Sequence, residues 1–363
     1  MKVVVLGGYG YFGASIARTL AAAGQFEVVV AGRDEARAAA MARSLGAAHA
    51  AIDATDPQLA ARLGDAGAEL VVNTVGPFQK RDHHVARAAI AAGSHYVDLA
   101  DSRDFVQAVT ALDPEARARA VLVVSGASSV PALAAAVVDH YLPDFAALHE
   151  IEHGISSSSR VPGAATLAAV LGYCGRPFTQ LRDGAWVTTH GGQGLRRHRF
   201  ERPAMSRWIG DCDVPDLALF PERYPTVRSV RFGAGVELGL VQGSFWLLSW
   251  LVRAGLVRDA TTLLPLLASG ARQVQALGSG RSAMFVTLRG VDPAGAARVR
   301  RWELRASGEE GAMIPCMAAV ALARKLERGA LDVRGAMPCV GLLTLREYLD
   351  ELQAYKVLAH EID

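Results

Sequence analysis

The sequence predicts an α/β fold, in which a doubly wound parallel sheet carries an inserted α+β domain. Three observations support this class. From Lys2 to about Tyr141, short β-rich apolar runs alternate with helical stretches, which is typical of a parallel sheet covered by crossover helices. A glycine-rich turn directly follows the first apolar run. After Pro143 the chain changes to alternating strands and to loops rich in glycine, proline and arginine, which indicates a second domain.

Six strands and five helices are predicted for the first part of the chain. The strands are Lys2 to Leu6, Glu27 to Ala31, Ala48 to Ile52, Leu70 to Asn73, His95 to Val97 and Val121 to Val124. The helices are Tyr11 to Ala23, Asp34 to Leu45, Pro57 to Leu63, His83 to Ala92 and Asp101 to Arg119. Several of these helices are followed by a glycine, which is common just beyond a helix C-terminus. Six strands joined by right-handed crossovers complete a doubly wound sheet.

The length of 363 residues exceeds the size at which single cores stop growing, so two domains are expected. We expect residues 1–130 to form the first domain and residues 131–312 to form an α+β domain for substrate binding or oligomerisation. Pro315 to Leu326 is helical in pattern, and Leu343 to Tyr355 is amphipathic. Residues 313–363 are therefore expected to return to the first domain as helices.

Composition and charge are those of a globular protein. Hydrophobic residues make up 51% of the chain and charged residues 20%, which allows a sizeable core. The formal net charge of +2 gives no field that would gather nucleic acid. The four cysteines are far apart in sequence, so neither a disulfide framework nor a sulfur-ligated metal site is indicated. Since the N-terminal residues also lack a signal-peptide pattern, we expect a cytoplasmic protein without a bound metal.

One apolar stretch resembles a membrane segment. It runs from Leu238 to Val252 between Glu237 and Arg253, and it is shorter than the roughly 18 to 20 residues that a spanning helix needs. We therefore expect no transmembrane segment. Packing on the core or on a partner subunit of a homodimer or other homo-oligomer is favoured, and peripheral contact with a lipid surface stays as the weaker alternative.

The glycine turn carries the main functional signal. Gly8-Tyr9-Gly10-Tyr11-Phe12-Gly13 fits the pattern G-x-G-x-x-G, directly after a strand and at the start of a helix. In that context Gly8 permits the tight turn, Gly10 lets the backbone approach a pyrophosphate, and Gly13 lets the helix pack closely on the strand. The helix N-terminus then faces the phosphates. The motif predicts a Rossmann domain that binds a dinucleotide through Gly8, Tyr9, Gly10, Tyr11, Phe12 and Gly13.

The end of the second strand favours NADP over NAD. Dinucleotide-binding domains that use NAD usually place an acidic residue there, on the ribose hydroxyls, whereas this chain reads Ala31-Gly32-Arg33. The Arg33 guanidinium can bind a 2′-phosphate or lie over the adenine, and Arg37 can add a second contact. The alternative is that the adjacent Asp34 binds the ribose of NAD, so NAD stays possible.

Two further loops are expected at the cofactor. The fourth strand runs into Asn73, Thr74, Val75, Gly76, Pro77 and Phe78, at the carboxyl edge where open α/β sheets bind ligands. We expect this loop to contact the ribose on the nicotinamide side, although its Gly-Pro pair also suits a plain turn. Ser125 and Gly126 follow the sixth strand and are expected to contact the carboxamide or the substrate, as are Ser128 and Ser129.

With these motifs in this order, the chain resembles the saccharopine dehydrogenase-like family. The resemblance is carried by Gly8-x-Gly10-x-x-Gly13, Ala31-Gly32-Arg33-Asp34, Asn73-Thr74-Val75-Gly76-Pro77-Phe78, His95-Tyr96-Val97-Asp98-Leu99 and Ser125-Gly126-Ala127-Ser128-Ser129-Val130-Pro131. It implies a Rossmann domain, an inserted α/β domain and redox chemistry at a carbon–nitrogen bond of amino-acid-derived substrates. The family also includes trans-acting enoyl reductases. Where its glutamate-joining enzymes usually read Gly-Leu/Phe-Asp-Pro-Gly, this chain has Gly126-Ala127-Ser128-Ser129-Val130, which argues against saccharopine itself as substrate.

Candidate catalytic residues surround the fifth strand. We expect His95, Tyr96, Asp98 and Asp101 close to the nicotinamide, where Asp98 or Tyr96 can relay a proton. The alternative to a catalytic role is, for each of these residues, a structural hydrogen bond in the core or at a helix cap. His83 and His84 are weaker candidates for a substrate contact.

Two other groups of candidate residues lie in the second domain. His149-Glu150-Ile151-Glu152-His153 matches the zinc motif H-E-x-x-H, but the segment reads as a strand, on which histidines four residues apart lie roughly 13 Å from each other, too far for one metal. Basic residues of the second domain can bind a substrate carboxylate or form a solvated charged surface; they are Arg160, Arg176, Arg182, Arg196, Arg197, His198 and Arg199.

The sequence therefore predicts an NADP-dependent oxidoreductase that acts on a C=N or C–N bond of a small amino or carboxylic substrate. The first alternative is an enoyl-type C=C reductase with a lipid-like substrate, suggested by the apolar stretch from Leu238. The second is a nucleotide-binding regulatory protein without turnover.

Overall fold

The computed structural model describes residues 1–362, with the exception of residues 80, 159–163, 202, 203 and 309. The strands are β1 (Lys2–Leu6), β2 (Glu27–Gly32), β3 (Ala48–Ala51), β4 (Leu70–Asn73), β5 (His95–Asp98), β6 (Leu122–Ser125), β7 (Ala147–Ser157), β8 (Pro177–Arg182), β9 (Ala185–His190), β10 (Arg196–Phe200), β11 (Met205–Asp211), β12 (Ser229–Val236), β13 (Arg281–Val291), β14 (Ala297–Ser307), β15 (Gly335–Pro338) and β16 (Val357–Ile362). The helices are α1 (Tyr11–Ala22), α2 (Glu35–Leu45), α3 (Leu59–Asp65), α4 (His84–Ala91), α5 (Arg103–Ala108), α6 (Asp113–Ala118), α7 (Ala134–Tyr141), α8 (Ala164–Tyr173), α9 (Asp216–Arg223), α10 (Gly239–Arg253), α11 (Leu264–Val274), α12 (Met317–Glu327) and α13 (Leu345–Asp350).

The chain divides into two compact units. The first consists of Met1–Leu133 and Ala312–Glu351, and the second of Ala134–Gly311 and Leu352–Asp363. The sequence predicts domain boundaries at residues 130 and 312. The role of the second unit in substrate binding or oligomerisation stays a prediction.

The first unit contains a seven-stranded sheet with the order β15-β6-β5-β4-β1-β2-β3. All of its described strand pairs are parallel. Four of the five residues of β1 are buried, as expected for a central strand that is covered on both faces. The order β3-β2-β1-β4-β5-β6 is that of a doubly wound Rossmann sheet, which confirms the predicted fold class. The carboxyl ends of β1, β2, β4, β5 and β6 lie at one edge of the sheet.

The end of the chain, which was expected to contain only helices, contains the helices α12 and α13 and the strands β15 and β16. Helix α12 is buried along its first seven residues, and α13 begins with a capping box at Thr344 and Glu347. Gly335–Pro338 forms β15, which is not among the predicted strands and extends the sheet beside β6. Val357–Ile362 forms β16 and pairs with β14 in the second unit, so these residues do not return to the first domain as helices.

The second unit is built on a seven-stranded mixed sheet with the order β10-β11-β12-β7-β13-β14-β16. Strands β7 and β12 are parallel, and a separate hairpin joins β8 to β9. Ile151, Val230 and Leu288 are buried on one face of the sheet, while Glu152 and Arg231 lie on the other. This alternation is why the segment with two histidines is a strand, as predicted, rather than a helix.

The apolar stretch from Leu238 forms α10, which buries Leu248 and Val252 in a cluster with Leu171 and Ala260. No helix among the described residues is long and apolar enough to cross a bilayer.

Candidate functional site: a dinucleotide cradle

The turn between β1 and α1 depends on three closely spaced glycines. Gly7 adopts a left-handed φ of +76°, and the N–H groups of Gly7 and Gly8 donate to the Ala31 carbonyl at 2.8 and 3.1 Å. The left-handed residue of the tight turn is therefore Gly7, directly before Gly8. Gly8 is needed because a Cβ there would lie 2.8 Å from the Val5 carbonyl oxygen.

The start of α1 is open in the way that a bound phosphate requires. A Cβ at Gly13 would overlap the Gly7 carbonyl oxygen, so only glycine lets the helix approach the turn. Gly10 precedes the helix, and no side chain caps it and no acidic residue lies in the first turn. A Cβ at Gly10 would meet only the Gly7 carbonyl oxygen, at 3.0 Å. Since the first turn of an α-helix directs N–H groups outward, the turn fits a diphosphate.

Tyr9 organises the end of β2. Its hydroxyl accepts a hydrogen bond from the Asp34 N–H at 3.1 Å, and its ring covers Gly32, where a Cβ would overlap the ring. The Arg37 guanidinium lies over the same ring, 4.6 Å from its centroid. Arg33 is exposed beside them. Two guanidinium groups therefore lie at the place where a doubly wound sheet receives the adenosine ribose.

The acidic residues near Arg33 are already engaged. One Asp34 carboxylate oxygen accepts from the Arg37 N–H at 3.0 Å and caps α2. Hydrogen bonds from the Thr55 N–H and hydroxyl lower the pKa of Asp53, and the positive charge of Arg33 adds to this effect. Sequence reasoning missed Asp53, which follows β3; its position after an edge strand was the available signal.

The loop after β4 lies directly against the glycine turn. The N–H and the hydroxyl of Thr74 both donate to the Leu6 carbonyl, at 3.0 and 2.8 Å. A Cβ at Gly7 would lie 2.7 Å from the Thr74 hydroxyl oxygen. The Asn73 side chain accepts from the Val75 N–H and donates to the Tyr96 hydroxyl, both at 3.0 Å. The structure thus brings together the glycine motif and the first half of the predicted loop.

The second half of this loop adds Gln79, which the sequence did not indicate and which contacts the candidate residue Asp101. Beyond Gly76 and Pro77, the Phe78 ring is buried and packs on Phe105 with centroids 5.2 Å apart. The Gln79 amide donates to the Asp101 carboxylate at 3.2 Å. The amide oxygen of Gln79 is buried and has no hydrogen-bond partner within the described ranges, so it can accept from a ligand. Burial raises the pKa of Asp101.

Asp98 holds together the ends of β5 and β6. One of its carboxylate oxygens accepts three hydrogen bonds of 2.9 Å, from the Ala100 N–H, the Ser125 hydroxyl and the Gly126 N–H. The side chain is fully buried. Burial raises the pKa of Asp98 to about 6, against the lowering effect of these three donors. Burial also raises the pKa of the neighbouring Tyr96 hydroxyl well above its usual value.

His95 does not lie with these residues. It is the first residue of β5, whereas Asp98 is the last, and three residues of strand separate them by roughly 10 Å. Its ring Nδ1 accepts from the Leu122 N–H at 2.9 Å. His95 therefore belongs to the opposite edge of the sheet, which corrects the expectation that it lies close to the nicotinamide.

The remaining histidine and serine candidates of the first unit are buried or contact other residues of the protein. The His84 ring contacts the Asp56 carbonyl at 3.0 Å. His83 is buried beside Phe105 with ring centroids 4.2 Å apart, and burial lowers its pKa. Ser128 and Ser129 are buried, two and three residues after Gly126.

Arginines of the second unit converge on one buried carboxylate. Asp211 accepts from Arg196 at 2.9 Å, from Arg231 at 2.9 Å and from Arg182 at 3.4 Å. Arg196 also donates to Glu152 at 2.9 Å. Three positive charges thus meet two negative ones, which leaves the cluster attractive to an anion. Sequence reasoning found Arg182 and Arg196 but missed their partners.

The other basic candidates are placed differently. Arg176 donates to the Arg258 carbonyl and Arg197 to the Ser206 hydroxyl, and Arg160 lies outside the described residues. His153 of the H-E-x-x-H segment is buried in β7, and burial lowers its pKa to about 3.

Residues 3–124 match the model of the family described as "Saccharopine dehydrogenase NADP binding domain". The chain is similar to apo saccharopine dehydrogenase (L-Glu forming) from Saccharomyces cerevisiae, with a TM-score of 0.68 and 14% identity over 100% of both chains. It is also similar to the homospermidine synthase of Legionella pneumophila in complex with NAD, with a TM-score of 0.61 and 10% identity over 100% of this chain and 91% of that one. At these identities the likeness concerns the fold. No curated protein sequence matches this chain.

Proposed function

From its membership of the saccharopine dehydrogenase-like family, which rests on residues 3–124, we propose that this chain is an NADP-dependent oxidoreductase. The observation that carries the proposal is the uncapped start of α1 beside the glycine turn, because such a turn presents backbone N–H groups and the helix dipole to a diphosphate. A nicotinamide cofactor is in keeping with the name of the matched family.

Different residues of the first unit are proposed to contact different parts of the cofactor. Gly8, Gly10 and Gly13 leave room for the diphosphate, with the backbone of Tyr9, Tyr11 and Phe12 around it. Asn73, Thr74 and Val75 are proposed to contact the ribose on the nicotinamide side, and the loop from Gly76 to Phe78 to continue this wall. When bound, the cofactor supplies or accepts a hydride.

The preference for NADP over NAD rests on charge. Arg33 and Arg37 offer two guanidinium groups at the end of β2, whereas Asp34 is engaged as a helix cap. A guanidinium binds a 2′-phosphate with charge-assisted hydrogen bonds. NAD would leave both cations without that partner.

Tyr96 and Asp98 remain candidates for the reaction itself, but their burial favours a positioning role. The Asp98 carboxylate holds Ser125 and Gly126 in place, and these two residues are proposed to contact the carboxamide or the substrate. We propose Asp101 as a further candidate for proton transfer, because its hydrogen bond with Gln79 places a carboxyl group, whose pKa is raised by burial, at the cofactor loop.

We further propose a C=N or C–N bond of an amino-acid-derived substrate as the site of reaction. This part of the proposal rests on the name of the matched family. The alternative is an enoyl-type reductase with a lipid-like substrate, which the exposed apolar side chains of α10 favour.

The test begins with cofactor binding, measured by fluorescence titration of NADPH and NADH. The variant Gly10→Ala is expected to lose at least tenfold in affinity, because the added methyl group enters the space of the diphosphate. Its melting temperature is measured beside the affinity, since the Cβ also lies 3.0 Å from the Gly7 carbonyl oxygen. Gly64→Ala is the matched control, since a Cβ there has no neighbour within 4 Å. Full NADPH affinity in Gly10→Ala would contradict the proposal.

Turnover then separates the reactions. NADPH oxidation with amine plus keto-acid pairs supports carbon–nitrogen chemistry, and oxidation with 2-enoyl thioesters supports the alternative. Binding of NADPH without oxidation in either panel favours a regulatory protein.

A further inference from the structure

The second unit exposes large apolar side chains in one place. Five of the eleven large hydrophobic side chains that are exposed among the described residues lie between residues 240 and 256. They are Leu240, Trp246, Leu247, Trp250 and Leu256, with exposed fractions of 78, 37, 55, 43 and 75%. We call these five residues the α10 face. Proteins rarely leave such a patch in water without a partner.

Four of the five residues of the α10 face lie in the amphipathic helix α10, and Leu256 follows its end. Leu240, Leu247 and Trp250 are separated by seven and three residues, which places them on the same side at 3.6 residues per turn. The opposite side holds Leu248, Ser249 and Val252, which are buried. One face of the helix therefore packs on its own unit, and a second apolar face is exposed to solvent.

Positive charge surrounds the carboxyl end of this helix. Residues 238–258 contain two arginines, Arg253 and Arg258, and no acidic residue. The exposed Arg176 donates to the Arg258 carbonyl at 2.9 Å. The flanking carboxylates are engaged: Glu237 by Arg207 and Gly280, and Asp259 as the cap of the next turn.

The aromatic residues have the arrangement of an interfacial anchor. Trp246 and Trp250 are in edge contact with centroids 6.4 Å apart, and the Arg253 guanidinium lies 5.0 Å from the Trp250 ring. Tryptophan next to arginine suits the boundary between lipid headgroups and acyl chains.

We propose that the α10 face binds the surface of an anionic lipid bilayer. Charge decides between this partner and a second copy of the chain. In a symmetric dimer the same patch meets itself, so arginines would oppose arginines without an acidic residue from either copy. An anionic bilayer instead supplies the negative charge for Arg176, Arg253 and Arg258 and the apolar phase for the leucines and tryptophans.

The test is co-sedimentation of the full chain with vesicles of phosphatidylcholine containing 30 mol% phosphatidylglycerol, compared with phosphatidylcholine alone. The native protein is expected to partition at least tenfold more strongly to the anionic vesicles. Leu247→Ser combined with Trp250→Ser is expected to lose at least tenfold in partitioning, because two apolar side chains no longer enter the bilayer. Arg258→Gln is expected to lose about fivefold on anionic vesicles only.

The matched control is Trp186→Ser, which removes a tryptophan of 54% exposure in β9 and should bind as the native protein does. Should the double variant fail to fold by circular dichroism, Leu240→Ser alone replaces it. Equal partitioning of native and variant proteins would overturn the proposal. So would a native dimer in sedimentation velocity that the variant converts to a monomer, since a second copy would then cover the face.

Discussion

Replacing Asp98 by asparagine tests how a buried carboxyl links the ends of β5 and β6. Burial raises its pKa from 3.8 to about 6, so the folded protein holds this proton more tightly than the unfolded chain. The resulting stabilisation is fully present below about pH 4 and is lost as the pH rises through about 6. The pKa difference corresponds to about 3 kcal/mol. The asparagine of the variant cannot titrate but keeps an acceptor oxygen for the N–H groups of Ala100 and Gly126.

When the pH is raised from 4 to 7.5, the native protein is therefore expected to lose about 3 kcal/mol of stability relative to Asp98→Asn. Urea titrations at four pH values, followed by far-UV circular dichroism, measure it. Asp332→Asn is the control, because it neutralises an exposed carboxylate of the same unit. Parallel stability curves for native and Asp98→Asn proteins would refute the burial argument. A kcat that falls less than tenfold in Asp98→Asn would fit a positioning role, whereas a loss of about 10² to 10⁴ would fit proton transfer.

Three other substitutions probe the remaining features. Arg33→Ala should lower the ratio of NADPH to NADH affinity by about tenfold to hundredfold, with Arg43→Ala at the far end of α2 as control; an unchanged ratio in a fluorescence titration rules out the 2′-phosphate contact. Gly13→Ala should destabilise the first unit by about 1 to 3 kcal/mol, because its Cβ overlaps a carbonyl oxygen, whereas Gly64→Ala should not; equal melting temperatures would show that α1 can move away. Asp211→Asn should cost about 1 to 3 kcal/mol of stability, since it removes the charge of a buried carboxylate that three partly exposed arginines contact; a native-like urea midpoint would contradict this.

The first six strands could be predicted within one or two residues because each is a short apolar run bounded by turn residues. Strand β15 could not, since Gly-Ala-Met-Pro carries no apolar alternation and pairs only because β6 presents an open edge. Strand β16 was missed for a similar reason: its residues alternate weakly, and its partner β14 lies some fifty positions earlier in the sequence.

The candidate site was predictable where local sequence determines backbone shape. The glycine turn and the loop from Asn73 fall beside each other because parallel strands end at the same edge. His95 was misplaced because it begins the strand that Asp98 ends. The link between Gln79 and Asp101, and the convergence on Asp211, depend on side chains from distant segments, which no local pattern encodes.

The division of the chain also bears on how the protein can be dissected genetically. A fragment that stops at residue 133 would lack β15 and α12, and so would expose the edge of β6 and the side of α1 on which α12 packs. A well-folded cofactor-binding fragment therefore requires residues 312–351 to be spliced back in. Conversely, deletion of the final dozen residues removes an edge strand from the other unit, so C-terminal truncations report on that unit rather than on nucleotide binding.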